Sequence, residues 1–145
     1  MAKFQFRLER ILDVKKIREE LRQRDWVEAM RETERQAALE QQIRQEQILF
    51  REQRNQKGSV GELKIEAELA GGMRRKVKKQ TAQVAFARQT ELKKKGELID
   101  AMRERKVMEK LREKKQDEYL LEERRTENKL IDEMAGNRFR QKFGL

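Results

Sequence analysis

No proline occurs anywhere in the 145 residues, and that absence sets the limits of the fold. Proline removes a backbone donor and clashes with the preceding turn, so a chain without it has no obligatory helix break. Glu, Lys, Arg, Gln, Leu and Ala dominate the sequence, and these are the strong helix formers. Charged residues make up 44% of the chain and hydrophobic residues 36%. An ordinary globular domain is about a quarter charged and roughly 45–50% apolar. There is too little apolar material for a multi-layered core, but enough for a stripe between helices. A disordered chain would share the charge but would be richer in Pro, Ser and Gly; here Ser59 is the only serine. The predicted class is all-α.

Glycine marks where helices are expected to end. Gly58, Gly61, Gly71 and Gly72 frame the segment GSVGELKIEAELAGG. Gly58 suits the residue after a helix C-terminus, where the left-handed conformation is cheap for glycine. Ser59 followed three residues later by Glu62 has the spacing of a capping box. Gly71-Gly72 is expected to end or kink the short helix that follows. The reading is one domain over 1–145: a helix from about 4 to 57, a tip at 58–72 with a short connecting helix, a helix from about 73 to 138, and a flexible end at 139–145. The long helices would measure roughly 80 and 100 Å. Such polar helices need a shared apolar stripe, so the predicted architecture is a long antiparallel two-helix coiled-coil hairpin. Pairing residue 57 with 73 sets Phe4 near Thr126. Gly96 costs the second helix about 1 kcal/mol relative to Ala.

The expected seam is imperfect. Phe4, Leu8 and Ile11 follow a 4-3 spacing, as do Leu39, Ile43, Glu46 and Phe50. Val77, Val84, Glu91 and Leu98 lie on a seven-residue grid that Met102 continues, and the pattern then shifts to Ala101, Glu104, Met108 and Leu111. The charge is equally uneven. Residues 73–115 carry 16 Lys/Arg and 6 Asp/Glu, so this stretch alone matches the whole-chain net charge of +10. Balanced i, i+4 pairs such as Glu20/Arg24 and Glu40/Arg44 account for much of the charge in the first helix, but nothing balances this stretch. It seeks an acidic partner, and an acidic protein surface fits best. No zinc-ligand spacing, aromatic platform or zipper accompanies the basic run, so no specific nucleic acid is expected. Phe86 is its only aromatic and its apolar face is narrow for a membrane surface.

Without His or Cys, the commonest general base and the thiol nucleophile are both missing. Adjacent acids such as Glu19-Glu20 point in different directions on a helix. The chain is therefore expected not to be an enzyme, with no catalytic, cofactor-binding or metal residues and no cofactor. Charges scattered through MAKFQFRLER and the lack of a long apolar run predict a cytoplasmic protein with no secretory signal.

The ends are the most distinctive parts. FQFRLERILDVKKIREE crowds Phe4, Phe6, Leu8, Ile11, Leu12, Val14 and Ile17 together, more than one two-helix seam can bury. Three features, in order, resemble the flagellar export protein FliJ family. They are the N-terminal run of Phe4, Phe6, Leu8, Ile11 and Leu12; the helix-starting Ser59, Val60, Glu62 and Leu63; and RKVMEKLREKKQDEY (Arg105 to Tyr119) followed by Asp132, Glu133 and Ala135. The Gly71-Gly72 pair departs from the uninterrupted helix expected of that family.

The resemblance implies an antiparallel hairpin like the central stalk of rotary ATPases. It would be held inside the hexameric flagellar export ATPase and promote its assembly and activity. It would also contact the cytoplasmic part of the export gate, interact with export chaperones, and lie at the cytoplasmic face of the inner membrane only through these partners. On that reading Phe4, Leu8, Ile11, Arg105, Lys106, Lys110, Leu111, Arg112, Tyr119, Leu130 and Met134 support the ring contact, and the tip around 58–72 projects toward the gate. An injectisome stalk, a structural coiled coil without an ATPase, and a basic rod binding nucleic acid are the alternatives.

Overall fold

The computed structural model describes residues 3–54 and 58–144. It contains two helices, α1 (Glu9–Glu52) and α2 (Val60–Phe143), and no strand among the described residues. They pair antiparallel as a helical hairpin, with contacts grouped into two units: 19–101, and 1–18 together with 102–145.

In the unit 19–101 the pairing direction is read from four cross-helix ties. Arg54 meets Glu66 at 3.5 Å, Glu46 meets Lys76 at 3.5 Å, Gln36 meets Gln80 at 2.8 Å, and Arg22 meets Glu97 at 3.2 Å. As one partner moves down the chain the other moves up. The turn leads into α2 through the predicted capping box: the Glu62 amide donates to Ser59 Oγ and the Ser59 amide to Glu62 Oε2, each at 3.3 Å. This satisfies two orphan donors at once.

Several boundaries differ from the expectation. No separate tip helix exists: residues 60–72 are the first turns of α2, which runs through Gly71-Gly72 without a break. Two glycines cost about 1 kcal/mol each against Ala, too little to stop a helix that is paired from Glu66 onward. The neighbouring arginines fold back over the gap, with Arg75 Nη1 3.6 Å from where a Gly71 Cβ would sit. Gly58 has no positive φ, because α1 has already ended at Glu52. Its smallness instead makes room for Glu62, whose Oε2 would come 2.6 Å from an added Cβ. The expected helix end at 57 lies outside the described residues. The left-handed glycine is Gly144, φ 69°, just past the end of α2, and the helix reaches Phe143 where the sequence suggested about 138.

The α1 seam follows the apolar reading at Ile43 and Phe50 and departs from it elsewhere. Half-buried or buried positions run Glu19, Arg22, Trp26, Ala29, Thr33, Gln36, Glu40, Ile43, Gln47, Phe50, an unbroken 4-3 series. Leu39 and Glu46, expected in the seam, are exposed. On α2 the matching series is Val77, Gln80, Val84, Ala87, Glu91, Lys94, Leu98, Ala101, five of them buried. Gln80 is 4% exposed; its Nε2 donates to the Gln36 carbonyl (2.9 Å) and to Gln36 Oε1 (2.8 Å), and Gln36 Nε2 donates to Glu32 Oε1 at 2.8 Å. A polar tie in a seam of this kind fixes register.

In the unit 1–18 with 102–145, Leu12 is 1% exposed and anchors the packing. Ile11, expected beside Leu8 in the seam, points outward at 45% exposure. Arg105, Met108 and Leu111 are half-buried on α2, while Glu104 is exposed. Phe4 packs against Tyr119, about two turns short of the expected Thr126, because residues 60–72 take part in the pairing.

Candidate functional site

The site candidates sit in the unit of 1–18 and 102–145. Residues 3–6 precede α1 as irregular chain. None of them is an N-capping Ser, Thr, Asp or Asn, so α1 starts only at Glu9, an acid suited to the positive end of the helix dipole. The Glu9 amide donates to the Phe6 carbonyl at 3.1 Å and the Leu12 amide to the Leu8 carbonyl at 3.0 Å. This turn directs Phe4 onto Tyr119, with ring centroids 5.6 Å apart and planes tilted by 49°. Tyr119 donates its hydroxyl proton to Glu123 at 2.8 Å. That hydrogen bond, then partial burial and the Glu123 charge, raise the phenol above its ordinary pKa.

Phe4, Phe6 and Leu8 of the N-terminal segment and Leu111 and Lys115 of α2 line one shallow apolar groove. Its edge is charged. Arg112 pairs with Glu9 at 3.0 Å and Arg105 with Glu109 at 2.7 Å. Lys15 (2.9 Å) and Arg18 (3.4 Å) converge on Glu104. The Lys15 hydrogen bond and charge, with help from Arg18, hold the Glu104 carboxyl below the usual range.

The predicted ring-contact residues therefore divide. Phe4, Leu8, Leu111 and Tyr119 come together, and Arg112 flanks them in its pair with Glu9. Arg105 lies six residues before Leu111 on α2 and pairs along the helix with Glu109. Lys106 and Lys110 are exposed. Ile11 faces outward with Val14 and Ile17, which are 53% and 57% exposed. Leu130 and Met134 lie on a part of α2 where every described residue past Glu123 is exposed. Sequence reasoning missed the Phe139–Phe143 stack on that stretch, centroids 4.6 Å apart. The i, i+4 spacing in FRQKF was the available signal.

None of this forms an enclosed pocket. Among the described residues no group of three or more His, Cys, Asp or Glu is placed to hold a metal, and no helix is long and apolar enough to cross a membrane. The fold and its surfaces define an all-α hairpin scaffold that presents side chains outward. A family model described as Flagellar FliJ protein matches residues 4–144, and the chain belongs to that family, a non-catalytic component of the flagellar export apparatus. No curated protein and no solved structure matches it.

Proposed function

We propose that this chain is the central-stalk protein of the export apparatus, entering the hexameric export ATPase with the surface built from 1–18 and 102–145. The observation that carries this reading is the amount of apolar surface left uncovered there. Ile11, Val14 and Ile17 are exposed on α1, and Leu130, Ile131 and Met134 are 56–61% exposed on α2. Isolated exposed apolar residues need no explanation, but clustered ones mark an interaction surface. A ring lumen that wraps the helices would cover them from all sides. In this role the chain promotes ring assembly and hydrolysis without doing chemistry itself. The segment around 58–72, which holds the first turns of α2, faces the cytoplasmic part of the export gate, and export chaperones are further partners, so the chain would lie at the membrane through those contacts.

The test is the ATP hydrolysis rate of the cognate flagellar export ATPase, titrated with this protein at physiological salt. Stimulation saturating near one chain per hexamer is expected, and Leu130→Asp with Met134→Asp should abolish it while leaving helicity unchanged. No stimulation and no co-migration with the hexamer would overturn the reading. Alanine at Arg105, Lys106, Lys110 and Arg112 separates the charged edge from the apolar surface: unchanged stimulation would remove the charges from the contact.

A further inference from the structure

α2 carries a second 3-4 series within the unit 19–101. The buried series is Val77, Gln80, Val84, Ala87, Glu91, Lys94, Leu98 and Ala101. Two residues earlier in phase runs Ala82, Ala85, Gln89, Leu92, Gly96, Ile99, every one exposed. Two residues on a helix turn through roughly 200°, so this second seam points almost directly away from α1. Phe86 borders it at 71% exposure, and Leu92 within it is 67% exposed.

Three observations set this face apart from an ordinary solvated surface. First, from Arg74 to Gly96 there are nine Lys/Arg and one acid, Glu91, and Glu91 lies in the inner seam. Second, the positions flanking the outer seam are Lys79, Arg88, Lys93 and Lys95, and none of them makes an ion pair among the described residues. Their neighbours Lys76 and Lys94, by contrast, are tied to Glu46 and Glu97. In a helix-on-helix seam these flanking positions choose the partner by charge. Third, Gly96 sits mid-helix where an added Cβ would meet nothing within 4 Å. The chain itself gives no reason for glycine there, whereas a second backbone approaching closely would.

We propose that this outer face of α2, from Lys78 to Ile99, docks an acidic amphipathic helix of a partner protein. That helix would set apolar residues at 3-4 spacing into the seam over Gly96 and place Asp or Glu against Lys79, Arg88, Lys93 and Lys95. A second copy of this chain is a poor occupant, since its own faces of this kind repel. A lipid surface would want a broader apolar face than Phe86, Leu92 and Ile99 supply. Nucleic acid would use the lysines but not the seam. The surface lies in the other contact unit from the proposed ATPase surface and does not depend on it.

The test uses the full chain and a fluorescent 28-residue synthetic helix with Leu and Ile at its a and d positions and Glu at e and g. A matched peptide with Lys at e and g is the control. Fluorescence anisotropy should show binding of the acidic peptide only. Gly96→Gln should keep or raise the thermal midpoint while weakening binding at least tenfold, because its side chain occupies the seam. Lys79→Glu with Lys93→Glu should shift preference toward the basic peptide. Binding unchanged in Gly96→Gln, or lost entirely to moderate salt and insensitive to Leu92→Asp, would reduce the face to nonspecific charge and overturn the proposal. So would no binding, or self-association of the chain alone that Gly96→Gln abolishes.

Discussion

Gln80 offers the sharpest test of how the hairpin holds its register. It is the one buried polar side chain among the described residues, and it reaches across the seam to both the carbonyl and the amide oxygen of Gln36. In Gln80→Ala the Gln36 carbonyl keeps its own helical partner, but Gln36 Oε1 loses its donor, and the stem of Gln80 no longer fills the seam. Leaving a buried acceptor unmet costs roughly 1–3 kcal/mol; Gln36 is only half-buried and can turn partly to water, so about 1–2 kcal/mol is expected. Urea unfolding followed by far-ultraviolet circular dichroism measures it. The double variant Gln36→Leu with Gln80→Leu should go the other way, gaining stability while loosening register. Spin labels at Arg31 and Gln89, both exposed, should report a single interhelical distance in the wild type and a broadened distribution in the double variant. A Gln80→Ala midpoint indistinguishable from wild type, with a sharp distance in the double leucine variant, would show that the polar tie does not set register.

Gly71→Ala with Gly72→Ala should stabilise the chain by roughly 1–2 kcal/mol, since both glycines are helical and their neighbours lie at ordinary contact distance; a lower thermal midpoint would mean the pair serves a bend. Glu104, whose folded-state carboxyl is held low by Lys15 and Arg18, contributes stability above its unfolded pKa and loses it as pH falls through the folded value. The gap in midpoint between wild type and Glu104→Gln should therefore shrink as pH drops from neutral into the acid range, and a gap constant with pH would refute the pairing. Tyr119, raised by its bond to Glu123, has the opposite sign: its contribution is complete below pH 10 and fades above it. Tyr119→Phe should accordingly flatten the alkaline limb of a pH titration. Arg112→Ala should change stability by no more than about 0.5 kcal/mol, because its pair with Glu9 is solvent-exposed.

The hairpin was legible because nothing in the composition permits another way to bury 36% hydrophobic residues on proline-free helices. The capping box at Ser59 and Glu62 was legible because it is a local device with a fixed spacing. Gly71-Gly72 misled because glycine's cost is local and small, while the pairing that overrides it is cooperative along α2. The register error at Phe4 is the same error carried to the far end of the count. The α1 seam was legible in part, at Ile43 and Phe50, and missed in part for a different reason. Sequence reasoning looked for apolar residues and found Ile11 and Leu39, yet the seam uses Lys15, Arg22 and Glu40. Long charged side chains lay their stems along apolar surface and reach outward with their heads, so a seam position need not look apolar. The gathering of Phe4 and Tyr119 could be anticipated to within two turns; the outward set of Ile11, Val14 and Ile17 could not, since it depends on that seam choice.

That choice still needs a cause, because hydrophobicity alone does not supply one. The outer series on α2 contains Leu92 and Ile99 with two alanines, while the inner one contains Gln80, Glu91 and Lys94. By apolar content the two faces are nearly matched. The difference lies in what α1 offers in return. Gln36 can satisfy Gln80, Arg22 can answer Glu97, and Glu46 can hold Lys76, whereas turning the outer face inward would break these ties and draw Lys79, Arg88, Lys93 and Lys95 toward the seam. Each ion pair is weak by itself, but a Gln80 cut off from Gln36 and cations drawn into a seam would both lose solvation. The inner face is therefore selected by polar matching, and the outer face is left both apolar and cationic. A partner that binds there must bring its own acids, because α1 and its carboxylates pack against the opposite face of α2.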